Sequence, residues 1–255
     1  MIAVLKLLKG ALVPETSSSV KFQRLLTQIV SDYDADIRTS TQRAETTVEQ
    51  TGRALGGVLR SAKGNLLERI TEKLIYAALL CLKGVSEQRI EINSKKVRIY
   101  ARENYLPRGA SPTTPVSTPP RRVFFYNAGV DRHIWIDGRL VCGIECKAYT
   151  ENAMLKRILV DFQLLQTVHP RIVPMLFQLE SMLGGDFHCG EWPCAGSPST
   201  HTLLSHFPDV SLHIVTLLKG ERSVKLPLHR FYKPLTVAAL ESAAYRFAEA
   251  VHEQL

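Results

Sequence analysis

The sequence predicts an α/β protein in which a helical N-terminal region leads into a core built on a central mixed β-sheet flanked by helices. Three observations carry that prediction. Residues 17–83 repeat apolar side chains at helical spacing, residues 121–180 hold runs rich in β-branched and aromatic residues, and between them LPRGASPTTPVSTPP places five prolines in fifteen residues. The boundaries follow: a helical region at 1–105, a Pro/Ser/Thr-rich loop or linker at 106–120, and an α/β core at 121–255.

In the helical front, KFQRLLTQIVSDY, AETTVEQTGRALGGVLRSA and NLLERITEKLIYAALLCLKG read as three helices. The last spans about 64–83, where Leu67, Ile70, Leu74 and Ala78 share one face and Gly84 marks the end. Over about 89–101, IEINSKKVRIYA alternates apolar and polar residues on both sides of Asn93-Ser94, which predicts a hairpin or one bent strand pair. Beyond the linker, VFFYNAGVDRHIWI, a turn at Asp137-Gly138 and LVCGIECKAY form the clearest β-hairpin in the chain. A helix from about 150 to 168 ends before Pro170, and IVPMLFQLE follows as a strand that Pro174 assigns to an edge or a bulge. Residues 184–209 read as loop, SLHIVTLLKG as a strand, and VAALESAAYRFAEAVHEQL as a closing amphipathic helix.

Composition narrows the function classes. At 255 residues and 45% apolar the chain can bury a core, which excludes disorder throughout. No apolar run approaches the roughly 18 to 20 residues of a membrane helix, and the opening MIAVLKLLKGALVPE is broken by Lys6, Lys9 and Gly10 without a cleavage site, so the expectation is a cytoplasmic protein with no membrane partner. Five cysteines, an odd number, fit a reducing compartment. A net charge of +8 fits a polyanionic partner without proving one.

The informative residues are Asp131, Glu145 and Lys147. Glu145 and Lys147 are two apart at the end of an apolar run, so in a strand they share a face with Cα atoms roughly 6 to 7 Å apart. Both charges at a buried strand end are costly unless they pair or bind something. Together they can act as one metal ligand plus one cation that handles a water and offsets charge at a phosphate. A hard divalent ion needs a second carboxylate, and Asp137 in the turn is roughly 26 Å of extended strand from Glu145. Asp131 folds back beside it. Parity sets a condition: a plain two-residue turn would pair 131 with 144 and send the carboxylates to opposite faces, so a three-residue turn or a strand bulge is predicted.

The segment VDRHIWIDGRLVCGIECKAY resembles the metal-binding hairpin of the PD-(D/E)XK nuclease superfamily, the fold of many type II restriction endonucleases. The resemblance is strong over about twenty residues and weak over 64–180, and Val130 stands where the family name has proline. It implies a restriction-endonuclease-like core with Asp131 as the first metal-binding aspartate, Glu145 as the second acidic ligand and Lys147 as the catalytic lysine. It further implies magnesium as cofactor, double-stranded DNA as substrate, and a type II site-specific enzyme of a restriction-modification system acting as a homodimer, two sites meeting two strands. Two alternatives stay open at this point: a structure-selective repair or recombination nuclease of the same fold, and a non-catalytic DNA-binding module.

Other clusters carry less. Lys219, Arg222, Lys225, Arg230 and Lys233 make the densest basic segment and are candidates for DNA contact, a solvated hairpin being the plain reading. Lys95, Lys96, Arg98 and Arg102 form a second basic stretch of the same kind. Glu68 and Glu72, four apart on a helix beside Arg69 and Lys73, read first as a solvated face, the alternative that the resemblance implies being an acidic residue lent to the metal site. Cys189, Cys194, His201 and His206 offer zinc-ligand types, but their spacing fits no zinc family and a surface loop with incidental thiols is the first reading.

Overall fold

Two long helices, α1 (Thr16–Thr51) and α2 (Leu55–Leu80), open the fold of the computed structural model, which describes residues 16–51, 55–80, 82, 85–102, 124–188, 194–223, 225 and 233–255. The first run and residues 44–51 of the second are therefore one helix, while residues 55–62 of the second run open the helix that was expected to begin near residue 64, so two helices replace the expected three. The reason is local: DADIRTSTQR, between the runs, contains neither Gly nor Pro to break the ladder. The helices are antiparallel neighbours, with Asp32 meeting Lys73 at 2.8 Å and Asp36 meeting Arg69. Their apolar faces, including Leu26, Ile29, Tyr33, Leu67, Ile70 and Leu74, are buried together. The linker at 106–120 lies outside the described residues.

The rest is β1 (Ile90–Asn93), β2 (Val97–Tyr100), β3 (Phe125–Ala128), β4 (Arg132–Ile136), β5 (Arg139–Thr150), α3 (Asn152–Gln166), β6 (Val173–Ser181), α4 (Pro198–Ser205), β7 (His213–Thr216) and α5 (Val237–His252). A five-stranded sheet runs β1-β4-β5-β6-β7, antiparallel from β1 to β5 and parallel from β5 to β7. The mixed sheet matches the expected class.

Three expectations need correction. IEINSKKVRIYA is not a hairpin, because β1 pairs with β4 while β2 pairs with β3 in a separate two-stranded sheet. Packing separates them: Ile90 and Ile92 join the cluster under α1, α2 and α5, whereas Val97 and Ile99 join the cluster under α3. Pro174 does not put β6 at an edge; β6 is central and wholly buried. It is tolerated because β7 pairing begins only at Met175, so at Pro174 that flank is still unpaired. Within the stretch read as loop, residues 198–205 form α4, with Ser197 capping the Thr200 N–H and Pro198 at its first turn.

The sheet divides two cores. On β5, Cys142, Ile144 and Cys146 face the cluster of α1, α2 and α5. Gly143, on the opposite face, lets α3 approach: a Cβ there would stand 3.0 Å from Phe162 and 3.1 Å from Ile172. Glu145 and Lys147 continue that face. No described helix is long and apolar enough to cross a membrane.

His133, on β4, is fully buried, and burial holds its imidazole below its ordinary pKa. The fold thus favours the neutral ring, so its contribution is whole above the unfolded-state value and is lost as pH falls. His169 and His213 shift the same way from burial. We expect the melting temperature to drop between pH 7.5 and 5.5, and His133→Asn, whatever its own stability, to show a smaller drop. An equal drop in variant and wild type would remove His133 from this account.

Candidate active site

The β4–β5 hairpin turns through two residues, Asp137 and Gly138, with φ of 51° and 73° between the partners Ile136 and Arg139. Both central residues are left-handed, the conformation that matches strand twist in a tight hairpin. Arg89 holds Asp137, its Nε donating to Oδ1 at 2.8 Å, and lowers the carboxyl pKa. Such a turn alone would misplace the acids. The register then shifts: Trp135 pairs with Leu140, but Ile134 pairs with Cys142, leaving Val141 as the extra residue of a bulge. Val141 and Cys142 consequently enter the same apolar cluster. Beyond the pair Arg132 with Ile144, the continued register sets Asp131 opposite Glu145 on one face.

The three sequence-predicted residues converge. Asp131 Oδ2 accepts from the Cys146 backbone N–H at 2.7 Å and lies 3.5 Å from Lys147 Nζ. Lys147 Nζ also pairs directly with Glu145 Oε1. Two oxygens within about 3.5 Å of one nitrogen lie within about 7 Å of each other.

The partners' pKa shifts point in opposite senses for stability, and geometry explains why. Burial, then repulsion from Asp131, pushes the Glu145 carboxyl up despite Lys147. Burial alone would lower Lys147, but Glu145 and Asp131 outweigh it and hold the ammonium charged. Asp161 on α3, itself raised by burial, adds repulsion at Glu145. One cation serves two carboxylates and leaves Glu145 undercompensated. Hard oxygen donors with excess negative charge fit a divalent ion such as magnesium, which takes the rest of its shell from water and substrate. No larger His/Cys/Asp/Glu group able to hold a metal occurs among the described residues.

Arg132 has no sequence signal beyond its place beside Asp131. Its Nη1 donates to the Asp131 carbonyl at 2.7 Å and to Glu68 at 3.0 Å, and its Nε to Glu72 at 3.1 Å. Glu68 and Glu72 are therefore not simply a solvated face. They tie α2 to the residue after Asp131.

The remaining candidates are scattered. Cys189 and Arg230 lie outside the described residues. Cys194, His201 and His206 form no metal group, and both histidines are exposed at α4. Arg222 stacks on Tyr149, its Cζ 3.5 Å from the ring centroid; Tyr149 is two residues beyond Lys147 on β5. Lys219 and Lys225 are exposed. Lys233 Nζ reaches Glu180 at 2.9 Å and the carbonyls of Gly220 at 3.2 Å and Glu221 at 2.8 Å, bracing the segment.

The sequence is 42% identical over 233 residues to the type II restriction enzyme DdeI of Desulfomicrobium norvegicum, an alignment covering 89% of this chain and 96% of that enzyme. The chain belongs to the type II restriction enzymes. No protein-family model matches it, and no solved structure does. It is a site-specific restriction endonuclease that binds DNA, and the mixed sheet with its flanking helices is a restriction-endonuclease-like core. The structure-selective nuclease and the non-catalytic module fall away.

A Glu145 pKa raised in the fold means that its ionised form costs stability at neutral pH. Glu145→Gln in this restriction enzyme should therefore melt no lower than wild type at pH 7.5. A fall of several degrees by calorimetry would show instead that the attraction to Lys147 dominates.

Proposed function

We propose that this restriction enzyme hydrolyses phosphodiester bonds as a PD-(D/E)XK nuclease, with magnesium held by Asp131 and Glu145 and with Lys147 as the catalytic cation. The observation that carries the reading is one ammonium shared by two carboxylates on one face of the bulged hairpin. Magnesium bound there would supply Lewis-acid polarisation of the scissile phosphate and of the attacking water. Asp131 is pre-aimed by the Cys146 N–H, which limits the reorganisation its carboxylate would need on binding. Lys147 stays protonated because both acids favour the ammonium, so it serves as a donor and a charge rather than as a base. It orients the water and offsets the charge of the pentavalent transition state.

Lys219, Arg222, Lys225 and Arg230 supply DNA affinity in this reading, whereas Lys233, whose ammonium is taken by Glu180 and two backbone carbonyls, drops out of the expected set. Arg222, stacked on Tyr149, lies beside the end of the strand that carries Lys147. A homodimer would present two such sites to the two strands, working in the cytoplasm.

Plasmid DNA with magnesium should give discrete bands, and chelation should abolish them. Lys147→Ala and Glu145→Ala should each lose cleavage while calcium-supported DNA binding stays measurable, since affinity comes from phosphate contacts elsewhere. Asp137→Asn, a change confined to the turn, should cleave nearly as wild type. Near-normal cleavage by either active-site variant refutes the assigned roles.

Binding should also weaken steeply with salt, by about 0.9 in log K per phosphate contact. Neutralising Lys225 and Arg230 together should flatten that slope by up to about two units, and an unchanged slope removes both from the phosphate interface.

A further inference from the structure

We propose that the two-stranded β2–β3 ribbon is a sequence-reading surface for duplex DNA, with Arg98 and Asn127 presented to base edges a few base pairs from the scissile phosphate. The inference rests on Asp131 belonging to the cleavage site as proposed above. In the ribbon Val97 pairs with Ala128, Arg98 with Asn127, Ile99 with Tyr126 and Tyr100 with Phe125, and the Ala101 N–H donates to the Phe124 carbonyl at 2.9 Å to extend the pairing. Alternation gives it two faces. Ile99 and Ala128 are buried in the α3 cluster, with Val97 packed against it. The other face carries Arg98, Tyr100, Asn127 and Phe125, all exposed.

That outward face has the chemistry of base reading. An antiparallel ribbon fits the major groove, where arginine pairs with guanine and asparagine with adenine through two hydrogen bonds each. Arg98 is held ready by stacking, its Cζ 5.1 Å above the Phe125 ring, and Phe125 in turn meets Tyr100 edge-on at 6.3 Å. Neither strand contains an acidic residue, and Lys95 and Arg102 flank β2. Phe125 at 46% and Tyr100 at 40% exposure on the outward face, with Tyr126 at 53% opposite Ile99, are large aromatics left in water on a short ribbon, which calls for a partner. Charge complementarity and the adjacent hydrolytic site select DNA over another protein.

Position supports the same partner. Only Gly129 and Val130 separate Ala128 from Asp131, so the ribbon's base is about 10 Å of extended chain from the cleavage site. Val130 is buried and would touch a Cβ at Gly143, at 3.2 Å, which fixes the junction against the sheet. Three steps of duplex span the same distance.

The test uses the whole enzyme on plasmid DNA, with fragment ends mapped by sequencing, alongside affinity for a duplex lacking the mapped site in calcium, and melting temperature. Arg98→Ala and Asn127→Ala should each slow cleavage at the wild-type sites about 10- to 100-fold or admit altered sites, with site-free affinity changed less than about threefold. Arg98→Lys keeps the charge but loses the fork, and should be nearly as impaired as Arg98→Ala. If Arg98→Ala melts early, Asn127→Ala tests the same face from the other strand. Unchanged sites and rates in both variants overturn the ribbon while leaving the proposed site standing. Full rescue by lysine, with site-free affinity lost in Arg98→Ala, overturns base reading in favour of a phosphate contact. Wild-type cleavage that survives alanine at Asp131 removes the ground under both.

Discussion

One extra residue on one strand holds the site together. A two-residue turn at Asp137-Gly138 is the tightest closure the hairpin can have, and by itself it would put Asp131 and Glu145 on opposite faces of the sheet. Val141 moves the register by one and restores them to the same face. The bulge is affordable because its extra side chain is apolar and enters the core beneath α1, α2 and α5, so the cost of an unpaired ladder position is offset by burial. The same shift leaves Gly143 under Phe162, which seats α3 over the face that carries Glu145 and Lys147.

The charge arrangement on that face is not one that stability alone would select. Glu145, with 15% of its side chain exposed, ionises against burial and against Asp131, and one ammonium does not compensate two carboxylates. The surrounding fold bears the strain with a second charge cluster behind it. Arg132 ties the Asp131 carbonyl to Glu68 and Glu72, so the backbone at the first acid is anchored to α2 while its side chain is aimed by the Cys146 N–H. Backbone and carboxylate are thus fixed from opposite directions, the preorganisation that the proposed hydrolytic centre would require.

Much of this was legible in the sequence because it is governed by local periodicity. The hairpin, β7, α3, α5 and the convergence of Asp131, Glu145 and Lys147 follow from alternation, helical spacing and parity. The need for a bulge or an odd turn was derivable, but not the bulge at Val141, because Leu140, Val141 and Cys142 are all apolar and none marks the extra position. The single helix through residues 34–43 was missed by weighting apolar periodicity over the absence of breakers, and α4 was missed although Ser197-Pro198 is a start signal. Arg132 with Glu68 and Glu72 could not have been read at all, since partners some sixty residues apart meet only through the packing of α2 on the sheet. The separate fates of β1 and β2 were hidden for the same reason: alternation reveals a strand but not which core its apolar face will join.

The pairing of β2 with β3 would couple recognition to cleavage in the proposed reading. Because β2 leaves the main sheet to pair with β3, the chain returns to the site through Gly129 and Val130 rather than through a long loop. Val130 is buried against β5, so the two-residue junction has little freedom to swing. With the ribbon as reader, a matched base sequence and a correctly placed Asp131 become one geometric condition, transmitted through packed backbone rather than through a hinge. A mismatch that lifts the ribbon by about an ångström would displace the first acid from Lys147 by a comparable amount, and misplacements of that size at a reacting centre cost on the order of a hundredfold in rate. Discrimination then resides in the cleavage step as well as in binding.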